Sequence, residues 1–199
     1  MKYILDTASQ NEIEKYLHII DGVTSNPILL KKEDQTPDDF LEYMQQYNIK
    51  RFIQVFDFSA FERIYKNFNS NNYELIFKVA LKYPEGINLI QQIKSAYPKA
   101  KIAATMMYDI VQLNNAIEFG CDYSMVYIAK NENENFLEEA VKLKNNINSD
   151  IKLVAASFRT KNDVKRAIKS GIEYSTVPPA VLEKSLINGQ VELEYSNLI

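Results

Sequence analysis

One lysine in this chain sits where everything around it is apolar. Lys78 lies in Leu75-Ile76-Phe77-Lys78-Val79-Ala80. Strand alternation puts Ile76, Lys78 and Ala80 on one face and Leu75, Phe77 and Val79 on the other. An ammonium held among apolar neighbours is costly to keep charged, so its pKa falls and a neutral amine becomes available. That is the property imine chemistry with a carbonyl substrate requires. The same lysine could instead be half of a buried ion pair with Asp6, and the pattern alone leaves both readings open.

Other polar residues fall at comparable places. Short β-rich runs end on Asp6, on Thr24 with Asn26, on Gln54, on Thr105, on Tyr127 and on Ser157. Alternation groups Met125 with Tyr127, Leu153 and Ala155 with Ser157, and Gln54 with Phe52 and Phe56. Any one of these could be polar only because a loop begins there. Seven strand ends with polar residues, one of them a lysine, are harder to explain that way. The pattern reaches a small-molecule enzyme with an amine nucleophile and names no substrate.

The elements that must position these residues alternate along the chain. The candidate strands are 3–5, 22–25, 51–56, 75–80, 101–105, 123–128, 152–157 and 174–177. Segments of helical spacing lie between them, such as Ile13, Leu17 and Ile20, or Ile87, Ile90 and Lys94. Ser9 and Thr36 precede acidic first turns, and Pro37 suits a first helical position. Gly120 and Gly171 fall where left-handed C-caps are expected. Eight strand–helix units at this spacing predict a minimal, single-domain (β/α)₈ TIM barrel over residues 1–199, whose active site lies at the C-terminal ends of the strands. A doubly wound open sheet is the alternative; with 5 glycines the chain carries neither a dinucleotide fingerprint nor a P-loop.

Composition narrows the partners. A net charge of −3, with basic runs no longer than Lys31-Lys32 and Lys165-Arg166, argues against nucleic acid and anionic membranes. No apolar run approaches the ~18 residues of a membrane helix. The opening residues show no signal-peptide pattern, and Cys121 is the single cysteine, so a reducing, cytoplasmic location is expected. His18 and Cys121 each stand without a partner motif, which argues against a metal site or a Ser-His or Cys-His nucleophile pair.

Five stretches resemble the family of fructose-6-phosphate aldolase and the short transaldolases: Tyr3-Ile4-Leu5-Asp6-Thr7, Gly22-Val23-Thr24-Ser25-Asn26-Pro27, Phe77-Lys78-Val79, Leu153-Val154-Ala155-Ala156-Ser157-Phe158-Arg159 and Thr176-Val177-Pro178-Pro179. They run in the family's order from residue 3 to about 187, and the second is the most specific. The resemblance implies a Schiff-base (class I) aldolase that needs no cofactor, with Lys78 attacking a ketone. It implies that Asp6 and Asn26 hold hydroxyls near the reacting carbons and that Thr105 positions a water. Gln54 and Tyr127 are similar to the aldolase branch, where transaldolases carry Glu and Phe, so Tyr127 is the expected acid/base group. Thr24, Ser157, Arg159 and Lys130 are the expected substrate ligands, Ser157 and Arg159 on the phosphate side. The substrate so implied is a small sugar or sugar phosphate, cleaved or formed at C3–C4.

Some positions depart from that pattern. Lys130 replaces an arginine expected to grip phosphate, and a lysine lacks the bidentate fork. Ala80 replaces a proline. After Leu186 only Ile187 to Ile199 follow, so the family's terminal helix is expected to be shortened or missing; a homo-oligomer is expected, without a decamer being assumed. A transaldolase passing a dihydroxyacetone unit between sugar phosphates, a non-catalytic sugar-phosphate-binding barrel, and an aldolase acting on deoxyribose or keto acids are the alternatives.

Overall fold

The computed structural model describes residues 1–70, 72–129, 131 and 133–196. Eight parallel strands close into a barrel in sequence order, as the strand–helix alternation requires. They are β1 (Lys2–Asp6), β2 (Gly22–Thr24), β3 (Lys50–Gln54), β4 (Leu75–Ala80), β5 (Lys101–Met107), β6 (Tyr123–Tyr127), β7 (Lys152–Ala156) and β8 (Tyr174–Val177). The helices are α1 (Gln10–Tyr16), α2 (Pro27–Lys32), α3 (Pro37–Met44), α4 (Phe58–Phe68), α5 (Glu85–Ala96), α6 (Ile110–Glu118), α7 (Phe136–Asn146), α8 (Lys161–Ser170), α9 (Pro179–Leu186) and α10 (Gly189–Ser196). Of the two expectations for the end of the chain, a shortened or a missing terminal helix, the first describes α10, a helix of 8 residues with Val191 and Tyr195 exposed. Among the described residues no helix is long and apolar enough to cross a membrane.

The register stacks inward side chains in tiers drawn from alternate strands. Ile4, Phe52, Ala103 and Val154 of the odd strands form an apolar tier. Above it lie Thr24, Lys78, Met125 and Thr176 of the even strands, then Asp6, Gln54, Thr105 and Ala156. Residues of opposite parity face the helices. Phe77, next to Lys78, packs edge-on against Phe61 of α4 with ring centroids 4.6 Å apart. Burying a phenylalanine of this kind contributes about 1.5–3 kcal/mol, and here it anchors the strand that carries the lysine.

The barrel floor has a charge rule that the sequence spells out. Each odd strand opens on a lysine (Lys2, Lys50, Lys101, Lys152), and each even strand follows an acid (Asp21, Glu74, Asp122, Glu173). Lys2 pairs with Asp21 at 3.1 Å, Lys50 with Glu74 at 3.5 Å and Lys101 with Asp122 at 2.8 Å, while Glu173 takes Lys144 at 2.9 Å. Tyr123 plugs the floor, donating its hydroxyl hydrogen bond to Glu74 at 2.9 Å. Such partly exposed pairs contribute about 0–1 kcal/mol each, so their main effect is to match strand to strand. Polar chemistry at the floor is thus used up in pairing, whereas at the opposite end it is left free.

Helix ends behave largely as their residues dictate. Thr36 and Asp39 form a full capping box with Pro37 in the first turn, and Gly120 and Gly171 take φ of 70° and 76°. Ser9 is a correction: it occupies the N-cap position without a side-chain bond, and its amide donates to Thr7 Oγ1 at 3.1 Å. The alternation also needs one correction. Leu153 and Ala155 face the helices, and Ser157 does not share their face because β7 ends at Ala156 and Ser157 turns back with φ of 68°.

Gly86 fixes the turn that follows β4. A Cβ there would lie 1.9 Å from the carbonyl oxygen of Ala80, so even a methyl group must displace the strand end that carries Lys78. Overpacking of this kind costs about 1–3 kcal/mol. Gly86→Ala is expected to lower the unfolding free energy by that amount, read as a lower urea midpoint at unchanged slope; an unchanged midpoint would show that the turn has room.

Candidate active site

The tiers of polar side chains open into a cavity of about 410 Å³ at the C-terminal end of the barrel, within the size range of small-molecule sites. Asp6, Thr24, Asn26, Gln54, Lys78, Thr105, Tyr127, Ser157 and Arg159 all line it. These are nine of the ten residues expected from the sequence, brought together from seven strands and the loops that follow. The tenth, Lys130, lies outside the described residues. A neighbouring hollow of about 440 Å³ shares Gln54 but is walled mainly by apolar side chains such as Leu30, Phe56 and Ile64, and Lys78 is not in its wall. The polar side chains expected from the sequence gather in the first cavity.

Lys78 is 5% exposed and points inward from β4. Its Nζ donates to Thr24 Oγ1 at 2.9 Å and to the Ser25 carbonyl. The ion pair with Asp6 considered from sequence does not form as a contact; Asp6 acts on the amine through space. Burial lowers the Lys78 pKa to about 8, the charge of Asp6 opposing the shift. Relative to an ordinary lysine, this raises the neutral fraction at pH 7 roughly 300-fold. Asp6 moves the other way: burial raises its pKa, partly offset by the positive charges of Lys78 and Arg159.

The remaining groups are held by local structure. Asn26 Oδ1 accepts the amides of Ile28 at 3.0 Å and Leu29 at 3.1 Å, capping α2. That bond leaves the amide nitrogen of Asn26 as the polar group free for a ligand. Thr105, 3% exposed, donates to the Tyr127 hydroxyl at 3.4 Å. It precedes a bulge in β5, where Met106 takes φ of 63°. Burial raises the Tyr127 pKa, the bond from Thr105 opposing it, so the phenol keeps its proton at neutral pH. Tyr108 packs edge-on against Tyr127 at 5.4 Å.

Several wall residues were not singled out from sequence. Thr176 supplies the eighth strand, and Leu29, Phe158 and Pro178 add apolar wall. Thr176 was legible, since it shares a face with the inward Tyr174. Met125, grouped with Tyr127 by alternation, proves to stand in the tier of Lys78.

No family model matches the chain. Curated relatives match nearly all of it. Over 210 residues it is 25% identical to a protein of Nitrosopumilus maritimus named "Probable transaldolase", covering 100% of this chain and 93% of the relative. Over 207 residues it is 28% identical to a "Probable fructose-6-phosphate aldolase" of Streptococcus pneumoniae, covering 93% of this chain and 88% of the relative. A "Probable transaldolase" of Thermoanaerobacter sp. is 26% identical over 195 residues, with 92% and 88% covered. The resemblance seen in the five stretches of sequence is borne out by relatives bearing both names.

The contact between Thr24 and Lys78 makes a prediction about charge. Thr24 Oγ1 accepts from the ammonium, so its removal takes away a partner that favours the charged form, and the amine pKa must fall. Modification of Lys78 by an acylating reagent, followed by peptide mass against pH, is expected to rise through a midpoint near 8 in the native protein. In Thr24→Val the midpoint should move to lower pH. A midpoint near 10.5 in the native protein would contradict the burial of the amine.

Proposed function

We propose that this protein is a class I aldolase, transaldolase-like, that makes or breaks the C3–C4 bond of a small ketose phosphate such as fructose 6-phosphate through an imine on Lys78. The observation that carries the reading is a buried lysine amine of lowered pKa sharing one cavity with a protonated phenol, a carboxylate and an arginine. The names of the relatives support the same class of chemistry.

In the synthetic direction, neutral Lys78 adds to the C2 carbonyl of dihydroxyacetone, and loss of water with uptake of one proton from solvent gives the protonated imine; that proton is returned when the imine is hydrolysed. A water held beside Thr105 and Tyr127 takes a C3 proton, which yields the enamine, and that proton later replaces the one Tyr127 gives up. Asp6 shares the cavity with Lys78, its carboxylate raised in basicity by burial, which suits it to hold a substrate hydroxyl and to favour the cationic imine. The enamine carbon then attacks the aldehyde of glyceraldehyde 3-phosphate, forming C3–C4. Tyr127 donates its proton to the aldehyde oxygen as that oxygen becomes the C4 hydroxyl, a role suited to a phenol kept protonated by burial. Hydrolysis of the imine releases the ketose and restores the amine. Cleavage is the reverse, with the C4 hydroxyl proton returning to the site. Asn26 and Gln54 bind hydroxyls, Thr105 holds the phenol or a water beside it, and Ser157 with Arg159 receives the phosphate.

A transaldolase shares every step up to the enamine and differs in its acceptor. It stands as the second reading because two of these relatives carry that name. Incubation of fructose 6-phosphate with and without an aldose phosphate acceptor separates the two: an aldolase releases free dihydroxyacetone without the acceptor, a transaldolase does not.

Lys78→Ala is expected to abolish turnover with circular dichroism and thermal midpoint retained. Tyr127→Phe should lower kcat by about 10²–10⁴-fold, the usual contribution of a positioned acid, while imine formation persists. Turnover by Lys78→Ala would end this reading.

A further inference from the structure

The loop after β7 is held by three successive constraints, and the third carries an assignment beyond the reaction itself. Ser157 adopts φ of 68°, a left-handed backbone that costs a serine on the order of 1 kcal/mol. Phe158 is buried in the core at 1% exposure. The backbone amide of Arg159 then donates to Asp163 Oδ2 at 2.9 Å, and the same oxygen accepts the Thr160 amide at 2.8 Å and the Thr160 hydroxyl at 3.1 Å. Asp163 is 9% exposed, and its own amide donates to Thr160 Oγ1 at 3.4 Å.

The motif at Thr160–Asp163 is a capping box, and the chain contains a second one for comparison. At α3, Asp39 Oδ2 accepts the Thr36 amide at 2.9 Å and the Thr36 hydroxyl at 2.6 Å, and the pattern stops at the cap residue. At α8 the carboxylate reaches one residue further back, to the amide of the arginine that lines the cavity. The Arg159 guanidinium makes no salt bridge to a carboxylate among the described residues, whereas Arg63 of α4 is paired with Asp38. An arginine with no carboxylate partner among the described residues, set in a cavity wall and fixed at its backbone, is prepared for an anion rather than for stability.

We propose that Asp163 is a positioning residue for Arg159: its carboxylate fixes the arginine's backbone so that the guanidinium meets the phosphate of the aldehyde fragment. This rests on the aldolase reading and deepens it by assigning recognition of the phosphate to a residue outside the cavity. A cap that only stabilised α8 would affect all substrates alike. A residue that aims Arg159 affects those that carry a phosphate.

The test is a steady-state comparison of glyceraldehyde 3-phosphate with unphosphorylated glyceraldehyde as acceptors, in the native protein, Asp163→Ala, Asp163→Asn and Asp39→Ala. Asp163→Ala is expected to raise KM for the phosphorylated acceptor about tenfold, as small misplacements of a binding group do, and to change KM for glyceraldehyde less than about twofold. Asp163→Asn keeps an acceptor oxygen and is expected to recover part of the loss; it also serves if Asp163→Ala does not fold. Asp39→Ala is expected to lower the thermal midpoint without changing either KM. Equal effects on the two acceptors, or a loss of stability alone, would overturn the assignment. Should the native protein turn over neither acceptor, the aldolase reading fails, and calorimetric titration with inorganic phosphate decides the assignment separately. Weaker phosphate binding in Asp163→Ala than in the native protein upholds it; equal binding, or none in the native protein, overturns it.

Discussion

Everything at the mouth of this barrel depends on the desolvation of a single amine. Lys78 stands in a tier with Thr24, Met125 and Thr176, above an apolar tier of Ile4, Phe52, Ala103 and Val154. At that depth an ammonium is destabilised relative to water, and what supports it is a hydroxyl, a carbonyl and the charge of Asp6, which acts without a direct contact. Had Asp6 been in contact, the ion pair would have favoured the charged form and opposed the nucleophile. The separation of the two charges is therefore as much a part of the site as their presence.

The barrel places polarity differently at its two ends. At the floor, lysines on odd strands meet acids ahead of even strands, and these charges are paired with one another. At the rim, Asn26, Gln54, Tyr127 and Arg159 are capped, packed or fixed at the backbone while keeping polar atoms toward the cavity. The same strand thus contributes to stability at one end and to chemistry at the other: β3 opens with Lys50 in a salt bridge and closes with Gln54 in the site. The separation follows from parallel strands, whose C-terminal ends all lie on one face.

Much of this was legible in the sequence because period-two alternation is a strong signal. It put Lys78 inside the barrel, sorted Leu75, Phe77 and Val79 to the outside, and marked the strand ends from Asp6 to Tyr127. It failed where a backbone left the regular strand. Ser157 was grouped with Leu153 and Ala155, yet a positive φ turns it into the cavity, and φ has no one-residue signature in a serine. Ser9 was legible as a cap by type and takes the N-cap position, but its side chain makes no cap bond while its own amide donates to Thr7 Oγ1. Whether Lys78 and Asp6 touch as an ion pair depends on the distance between β1 and β4, which no local pattern encodes. The reach of Asp163 to Arg159 was hidden for a related reason: the capping box can be read as a motif, but its extra bond depends on where the preceding loop runs.

The proposed imine on Lys78 is the claim from which the rest follows, and borohydride trapping tests it most directly. The protein is incubated with dihydroxyacetone and reductant across a pH series, then read by intact mass and peptide mapping. The account predicts one reduced three-carbon adduct, on Lys78, forming faster as pH rises through about 8. An adduct confined to another lysine, or none on a demonstrably folded protein, would contradict it.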